Sequence, residues 1–303
     1  MKLGIQSAIL EELSLAELVD FAAANQFQCI EVMCWPPGKS ERKYAGVSHL
    51  DVVDFSPVDA AVVLDLFARK NVEISALGYY PNPLSPDPEE AAICIAHLRA
   101  MIDAAALLGV NLVNTFIGND WTKSVDDNWP TFKRVWGPLL RYAEAKKVRI
   151  AIENCAMFFT DDEWPAGKNL AHSPAIWRRM FAEFNSDYFG LNYDPSHMVW
   201  MQMNHLKPID EFMPKFFHTH AKDVSIDRQR LDDVGTLANP LDYHDPRIPG
   251  RGDIDWGQYV QALKQAGYDG AFCIEVEDSN YEGSLADRKR ALQESGEHLR
   301  QYL

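Results

Sequence analysis

The feature that most constrains this chain is an eightfold alternation of a short apolar run with a longer amphipathic one. Runs of strand length fall at residues 3–8, 29–33, 73–77, 112–116, 149–153, 190–193, 216–221 and 272–276. Segments with helical periodicity follow them at 15–25, 57–70, 88–108, 130–146, 174–184, 208–213, 256–266 and 285–302. Parallel strands cannot be joined by tight turns, so each needs a crossover that packs back on the sheet, and a helix is the usual one. Ser14 before Leu15, Ser56-Pro57 and Ser173-Pro174 supply helix starts, a hydroxyl to accept an orphan N–H with proline in the first turn at the latter two. Eight such units close into a (β/α)8 TIM barrel, here one domain over residues 1–303. An open doubly wound sheet is the competing architecture, but the first turn lacks the glycine-rich fingerprint that usually goes with it.

Bulk properties then exclude partners rather than name them. A net charge of −15 repels phosphate backbones, so nucleic acid is not expected to bind. No apolar run of about 18 residues is evident and the start reads directly as a strand, so a cytoplasmic protein without a membrane partner is expected. The five cysteines are scattered without a CxxC pair, and Cys29, Cys155 and Cys273 lie in or beside the apolar runs, which fits reduced thiols.

Two excursions break the rhythm, residues 33–55 after the second strand and 224–255 after the seventh. Both leave the C-terminal ends of strands, where barrel enzymes build their sites. A third stretch, 154–172, carries Phe158, Phe159 and Trp164, which can form either a sugar-stacking wall or a pack against the barrel.

Chemistry concentrates at the ends of the later strands. Ala151-Ile152-Glu153-Asn154 ends an apolar strand on a carboxylate, costly to bury unless paired or bound to a metal. In Asp194-Pro195-Ser196-His197 two polar groups three apart can reach one centre, although Asp194 can equally cap the next turn. Residues two apart on a strand share a face, which joins His218 to His220, with His220 nearer the mouth, and Glu275 to Glu277. His218 is expected deeper, supporting rather than ligating, and Lys222 and Asp223 can pair with each other or meet substrate. Glu31 is a further acidic residue near a strand end. Carboxylates with imidazole form a ligand set for Mn²⁺, Co²⁺, Zn²⁺ or Mg²⁺.

With these motifs the chain resembles the xylose-isomerase-like barrel superfamily, which includes sugar-phosphate isomerases and epimerases, ketose 3-epimerases, inosose dehydratases and endonuclease IV nucleases. The resemblance runs nearly end to end and rests on Ile152-Glu153-Asn154, Asp194-Pro195-Ser196-His197, residues 218–223 with His218 and His220, the Pro249-Gly250-Arg251-Gly252 turn, and Ile274-Glu275. It implies Glu153, Asp194, His220 and Glu275 as metal ligands, with Mn²⁺ the first expectation. It implies Glu153 and Glu275 as an acid–base pair that moves a proton beside a carbonyl through an enediolate. His197, Lys222, Arg251 and Trp164 are the expected substrate contacts, and a homodimer or homotetramer the expected assembly. The stretch after Asp223 is longer than in ketose epimerases, so Arg247 or Arg251 would take their arginine's role and the substrate would be bulkier or different. The same ligands serve a sugar isomerase or epimerase, a lyase or dehydratase on an inosose or 3-keto-sugar, and a non-catalytic sugar-binding subunit.

Overall fold

Local signals set the helices, and the helices set the barrel. Ser14 and Ser56 each accept from the backbone N–H three residues on, while Glu17 and Asp59 reach back to the cap, forming two complete capping boxes. They open α1 (Leu15–Ala24) and α2 (Pro57–Lys70). A computed structural model describes residues 1–36, 45–158 and 164–303. The remaining elements are β1 (Lys2–Gln6), β2 (Cys29–Met33), β3 (Glu73–Gly78), α3 (Pro88–Leu108), β4 (Leu112–Thr115), α4 (Val125–Lys146), β5 (Arg149–Glu153) and α5 (Pro174–Glu183). They continue with β6 (Phe189–Tyr193), α6 (Pro195–Trp200), α7 (Lys207–Phe212), β7 (Phe216–Ala221), β8 (Asp223–Ile226), α8 (Arg228–Val234), β9 (His244–Arg247), α9 (Trp256–Gln265), β10 (Ala271–Ile274) and α10 (Leu285–Arg300).

Among the described residues eight strands close a parallel barrel in the order β1-β10-β7-β6-β5-β4-β3-β2. The apolar residues of the strands pack against the helices, with Trp136, Trp177, Phe189, Tyr193 and Trp256 fully buried between the two layers. Polar residues occupy the opposite, inward face. Two register shifts sharpen that division. One lies at Ile30/Glu31 on β2 against β3, the other at Leu191/Asn192 on β6 against β7. Each skips one residue of the partner strand, Ser75 and Phe217, and so resets which side chains face inward beyond it.

The structure departs from the sequence expectations at several points. The first strand stops at Gln6, and Ser7–Leu10 turns into a 3₁₀ helix. Helix α4 starts before Pro130, because Ser124 accepts from Asp127 N at 3.1 Å and caps it. Ser173 stands at the cap of α5 but its hydroxyl makes no capping bond, so Pro174 alone marks the start. Helix α3 has the length and mean hydropathy, 1.7, of a membrane span. Its residues Cys94, Leu98, Met101, Ile102 and Ala105 are buried, and it packs between α2 and α4 as a barrel helix. The excursion after β7 is not loop alone: β8 and β9 form an antiparallel hairpin enclosing α8.

Candidate metal centre

Strand alternation delivers the site. Glu153 ends β5, Asp194 follows β6, His220 is the fifth residue of β7, and Glu275 follows β10. One ligand atom from each lies within 4.8 Å of the other three, and all four residues are buried. His220 Nδ1 is 3.3 Å from Glu153 Oε1 and 3.1 Å from Glu275 Oε2. Its other nitrogen, Nε2, donates to Glu31 Oε2 at 2.6 Å. The proton shared with Glu31 therefore sits on Nε2, and Nδ1 faces two carboxylates. A bare lone pair there is repulsive, so the position calls for a proton or a metal cation. The fit to a divalent ion is reinforced at Asp194, whose Oδ1 accepts from Ser196 N at 2.8 Å while the buried Oδ2 makes no aligned hydrogen bond and has only the cationic Lys222 and the His197 ring at 3.2 and 3.3 Å. Three carboxylate oxygens and one imidazole nitrogen form an oxygen-rich mixed donor set that could hold such an ion.

Charge bookkeeping gives the same answer. Five carboxylates, Glu31, Glu153, Asp194, Glu275 and Glu277, meet Lys222, His220 and His197. Burial pulls the His220 imidazolium down, but Glu31 and Glu275 outweigh it and hold the ring protonated well above its usual range. The carboxylates that would draw an ion here draw a proton instead. Burial alone would raise the Glu153 carboxyl, yet His197 and His220 hold it below the ordinary range. Glu275 is likewise opposed by burial and carried down to about 2 by Lys222 and His220. Glu277 goes the other way, raised by burial against the pull of Lys222.

Beneath the ring lies a polar layer. Glu31 is fully buried and also accepts from the Tyr80 hydroxyl. Asn192 Nδ2 donates to that hydroxyl at 3.1 Å, and its Oδ1 accepts from His218 Nδ1 at 2.9 Å. Ser75 then donates to His218 Nε2 at 3.1 Å. Burial lowers His218 to about 4, so it stays neutral. His218 supports the layer below the ring, and Glu31 fixes the His220 tautomer, as second partners of ligating histidines do.

Above the ring is a cavity of about 170 Å³. It is lined by the polar Glu153, His197, Lys222, Glu275 and Glu277 and by the apolar Met33, Trp35, Phe116 and Phe158. His197 Nδ1 accepts from Trp200 Nε1 at 3.0 Å, so its proton is on Nε2. Nε2 is buried, approaches Glu153 and Asp194 at 3.4 and 3.3 Å, and has no hydrogen-bond partner, a donor placed for a third oxygen. Lys222 Nζ pairs with Glu275 at 2.9 Å, Glu277 at 3.1 Å and Asp194 at 3.2 Å.

Other expected contacts lie elsewhere. Lys222 does not pair with Asp223. The Asp223 carboxylate instead accepts from the backbone of Val224, Gly250 and Ile254 and from Trp256 Nε1 at 2.8–3.1 Å. That carboxylate seats the Pro-Gly-x-Gly turn: Gly250 has φ +88°, and a Cβ on Gly252 would stand 2.3 Å from Asp223 Oδ1. The turn carries Arg251 outward, where its side chain is 65% exposed and 3.5 Å from Glu294, so it does not line the cavity. Arg247 pairs with Asp245 at 3.1 Å. Trp164 lines a neighbouring cavity of about 230 Å³ and meets the edge of Phe158 with ring centroids 5.5 Å apart. Phe158 stands between it and the ring, so Trp164 packs rather than reaches the centre. Phe159 lies outside the described residues. Sequence reasoning did not single out Gln6, Tyr80, Asn192 or His244. Asn192 lay two residues before Asp194 on the same strand face, a usable signal. Tyr80 lies beyond β3 and carried none.

Comparison with known proteins agrees with this architecture. A family model described as xylose isomerase-like TIM barrel matches residues 19–302. The uncharacterized protein YfiH of Bacillus subtilis is 26% identical over 92% of this chain and 93% of its own. The structure of the probable 3-DHS dehydratase AsbF of Bacillus anthracis superposes with a TM-score of 0.72 at 15% identity, covering 99% of both chains. A D-psicose 3-epimerase of Clostridium cellulolyticum, solved with D-tagatose, gives 0.69 at 16% identity over 100% of this chain and 99% of that one.

Proposed function

The chain belongs to the xylose isomerase-like TIM barrel family, and on that premise we propose that it is a metal-dependent sugar isomerase or epimerase that moves a proton beside a carbonyl. The observation that carries this reading is the placement of Glu153 and Glu275. They come from separate strands, flank the same imidazole nitrogen at 3.3 and 3.1 Å, and open into one cavity. Glu153, Asp194, His220 and Glu275 would hold the ion, for which Mn²⁺ is the first expectation. When bound it would supply the positive charge that makes a carbon next to a carbonyl acidic. One carboxylate accepts the proton from that carbon, while the other, having first taken one up from solvent, delivers it to the opposite face, which inverts the centre, and the first then returns its proton to solvent. Return at the neighbouring carbon instead gives aldose–ketose isomerisation. His197 Nε2–H donates to a substrate oxygen, and Lys222 keeps Glu275 ionised between turnovers.

A second reading begins with the same deprotonation and ends in loss of a β-substituent, a lyase or dehydratase on a keto-sugar. The hairpin beside the cavity, an added wall suited to a larger substrate, favours it, and one of the structural neighbours carries the name of a dehydratase. Incubation of the Mn²⁺-, Co²⁺- or Mg²⁺-loaded protein with a panel of ketoses and keto-sugars in D₂O tests both. Deuterium at a carbon beside the carbonyl supports enolisation. Release of water or an aglycone assigns the lyase outcome, and no exchange into any member of the panel refutes both.

A further inference from the structure

One wall of the cavity comes from outside the eight barrel strands. The β8–β9 hairpin is pinned by Asp223 and by Asp253, which accepts from Ile226 N at 3.0 Å and donates its own N–H to Val224 O at 2.8 Å. It therefore presents its side chains from a fixed frame. The first residue of β9, His244, lines the cavity together with Glu153, His197 and Lys222. Its ring stacks on Trp200 with centroids 4.9 Å apart and planes 9° from parallel. Trp200 is itself fixed by its bond to His197. His244 Nδ1 lies 2.5 Å from Pro240 O, so its proton is committed there. Burial holds the ring neutral, down to about 4 despite that bond, and the charge of Lys222 opposes protonation further. Nε2 is thus a lone-pair acceptor on a ring held by stacking and by a backbone bond.

We propose that His244 is a specificity residue that accepts a hydrogen bond from a substrate hydroxyl beyond the carbons handled by Glu153 and Glu275. The preferred ligand then carries a free hydroxyl at that end, not a phosphate. A lone pair repels phosphate oxygens, and Lys222 already serves three carboxylates. Among the described residues lining the cavity there is no arginine. The inference rests on the sugar-acting reading of the site and narrows its substrate class to unphosphorylated polyhydroxylated carbonyl compounds.

The test uses ¹⁵N-histidine-labelled, Mg²⁺-loaded protein, with the His244 resonances assigned by their loss in His244→Gln. Titration with D-fructose, D-tagatose and D-psicose should shift His244 Nε2 upfield, as expected when a lone pair gains a donor, and D-fructose 6-phosphate should not. His244→Phe should raise the Kd of the shifting ketose about tenfold, the worth of one buried neutral hydrogen bond, and His244→Gln, which keeps an acceptor, should recover most of it. KM should rise with kcat held within about threefold. No Nε2 shift with any ketose, a phosphate ester that binds more tightly than its parent sugar, or a His244→Phe variant that loses kcat rather than affinity would overturn the proposal. Deuterium exchange followed in the same samples separates the two readings. Exchange without a shift refutes the role of His244 alone, whereas a shift without exchange refutes the isomerase reading and leaves His244 as a ligand contact.

Discussion

Replacing Glu31 by glutamine isolates the charge beneath His220. Both residues are fully buried, and the His220 Nε2–Glu31 Oε2 separation is 2.6 Å, a charge-assisted bond. The other oxygen of Glu31 accepts from Tyr80. Glutamine keeps the volume and offers one acceptor, for His220, and one donor, toward Tyr80, whose hydroxyl can rotate to accept. The number of bonds is preserved, but the charge is lost and the Tyr80 O–H gives up its carboxylate acceptor. A bond to a charged group contributes about 1.5–3 kcal/mol against about 1 for a neutral one. The difference, about 1–2 kcal/mol, should reach the ion through the weaker basicity of His220 Nδ1. That amounts to about a tenfold rise in the Kd for Mn²⁺, the low end of what outer partners of metal ligands contribute. Competition with a fluorescent chelator at fixed pH measures it. With no ion bound, Glu31→Gln removes the charged partner of the protonated His220, so the chelator-treated variant should unfold at somewhat lower denaturant than the parent, by at most about 2 kcal/mol. An unchanged Kd would refute the reasoning, and so would a variant destabilised by more than about 2 kcal/mol without metal, which would make Glu31 a structural residue.

Three further outcomes are expected. Glu153→Gln and His220→Ala should each lose the stoichiometric ion after dialysis, as read by elemental analysis, and full retention in both would remove the metal centre. Asp223→Asn replaces one of two oxygens that together accept four hydrogen bonds with a group that faces donors. It should cost about 2–4 kcal/mol and lower Tm by several degrees, while Mn²⁺ affinity changes little because none of those bonds touches the ring. His244, held neutral down to about 4, takes up its proton in the unfolded chain first, near pH 6.5. Its contribution is therefore present in full above about pH 6.5 and is lost as pH falls toward 4, by at most about 3 kcal/mol. In His244→Phe, urea unfolding between pH 7 and 4.5 should show a shallower loss of stability than in the parent.

How much of this was legible depends on whether a residue's task is written locally. The capping boxes at Ser14 and Ser56 are complete within four residues and were readable as such. The ring was readable because period-two alternation places Glu153, His220 and Glu275 on inward faces whatever the details of closure. The choice between Glu275 and Glu277 was not, since both share that face. Depth favours Glu275, since Glu277 lies nearer solvent with 35% of its side chain exposed and pairs with Lys222. Asp194 shows that the two readings of a motif need not compete: Oδ1 caps α6 and Oδ2 faces the ring. Cap and proposed ligand are one device, because the bond to Ser196 N fixes the carboxylate plane that aims the second oxygen. Arg251 and Trp164 were drawn toward the site by their chemistry, but the Asp223-held turn and the bulk of Phe158 set them apart from it. The excursion at 224–255 was legible as an enlargement beside the site, but not as a hairpin wall. Its strands include Pro246, its hold is an aspartate on backbone N–H groups, and neither leaves a periodic trace. The residues proposed to move a proton are thus written in strand periodicity. The part that would choose the substrate is written in side-chain-to-backbone bonds, and it is there, at His244, that substitution should change which sugar is handled before it changes what is done to it.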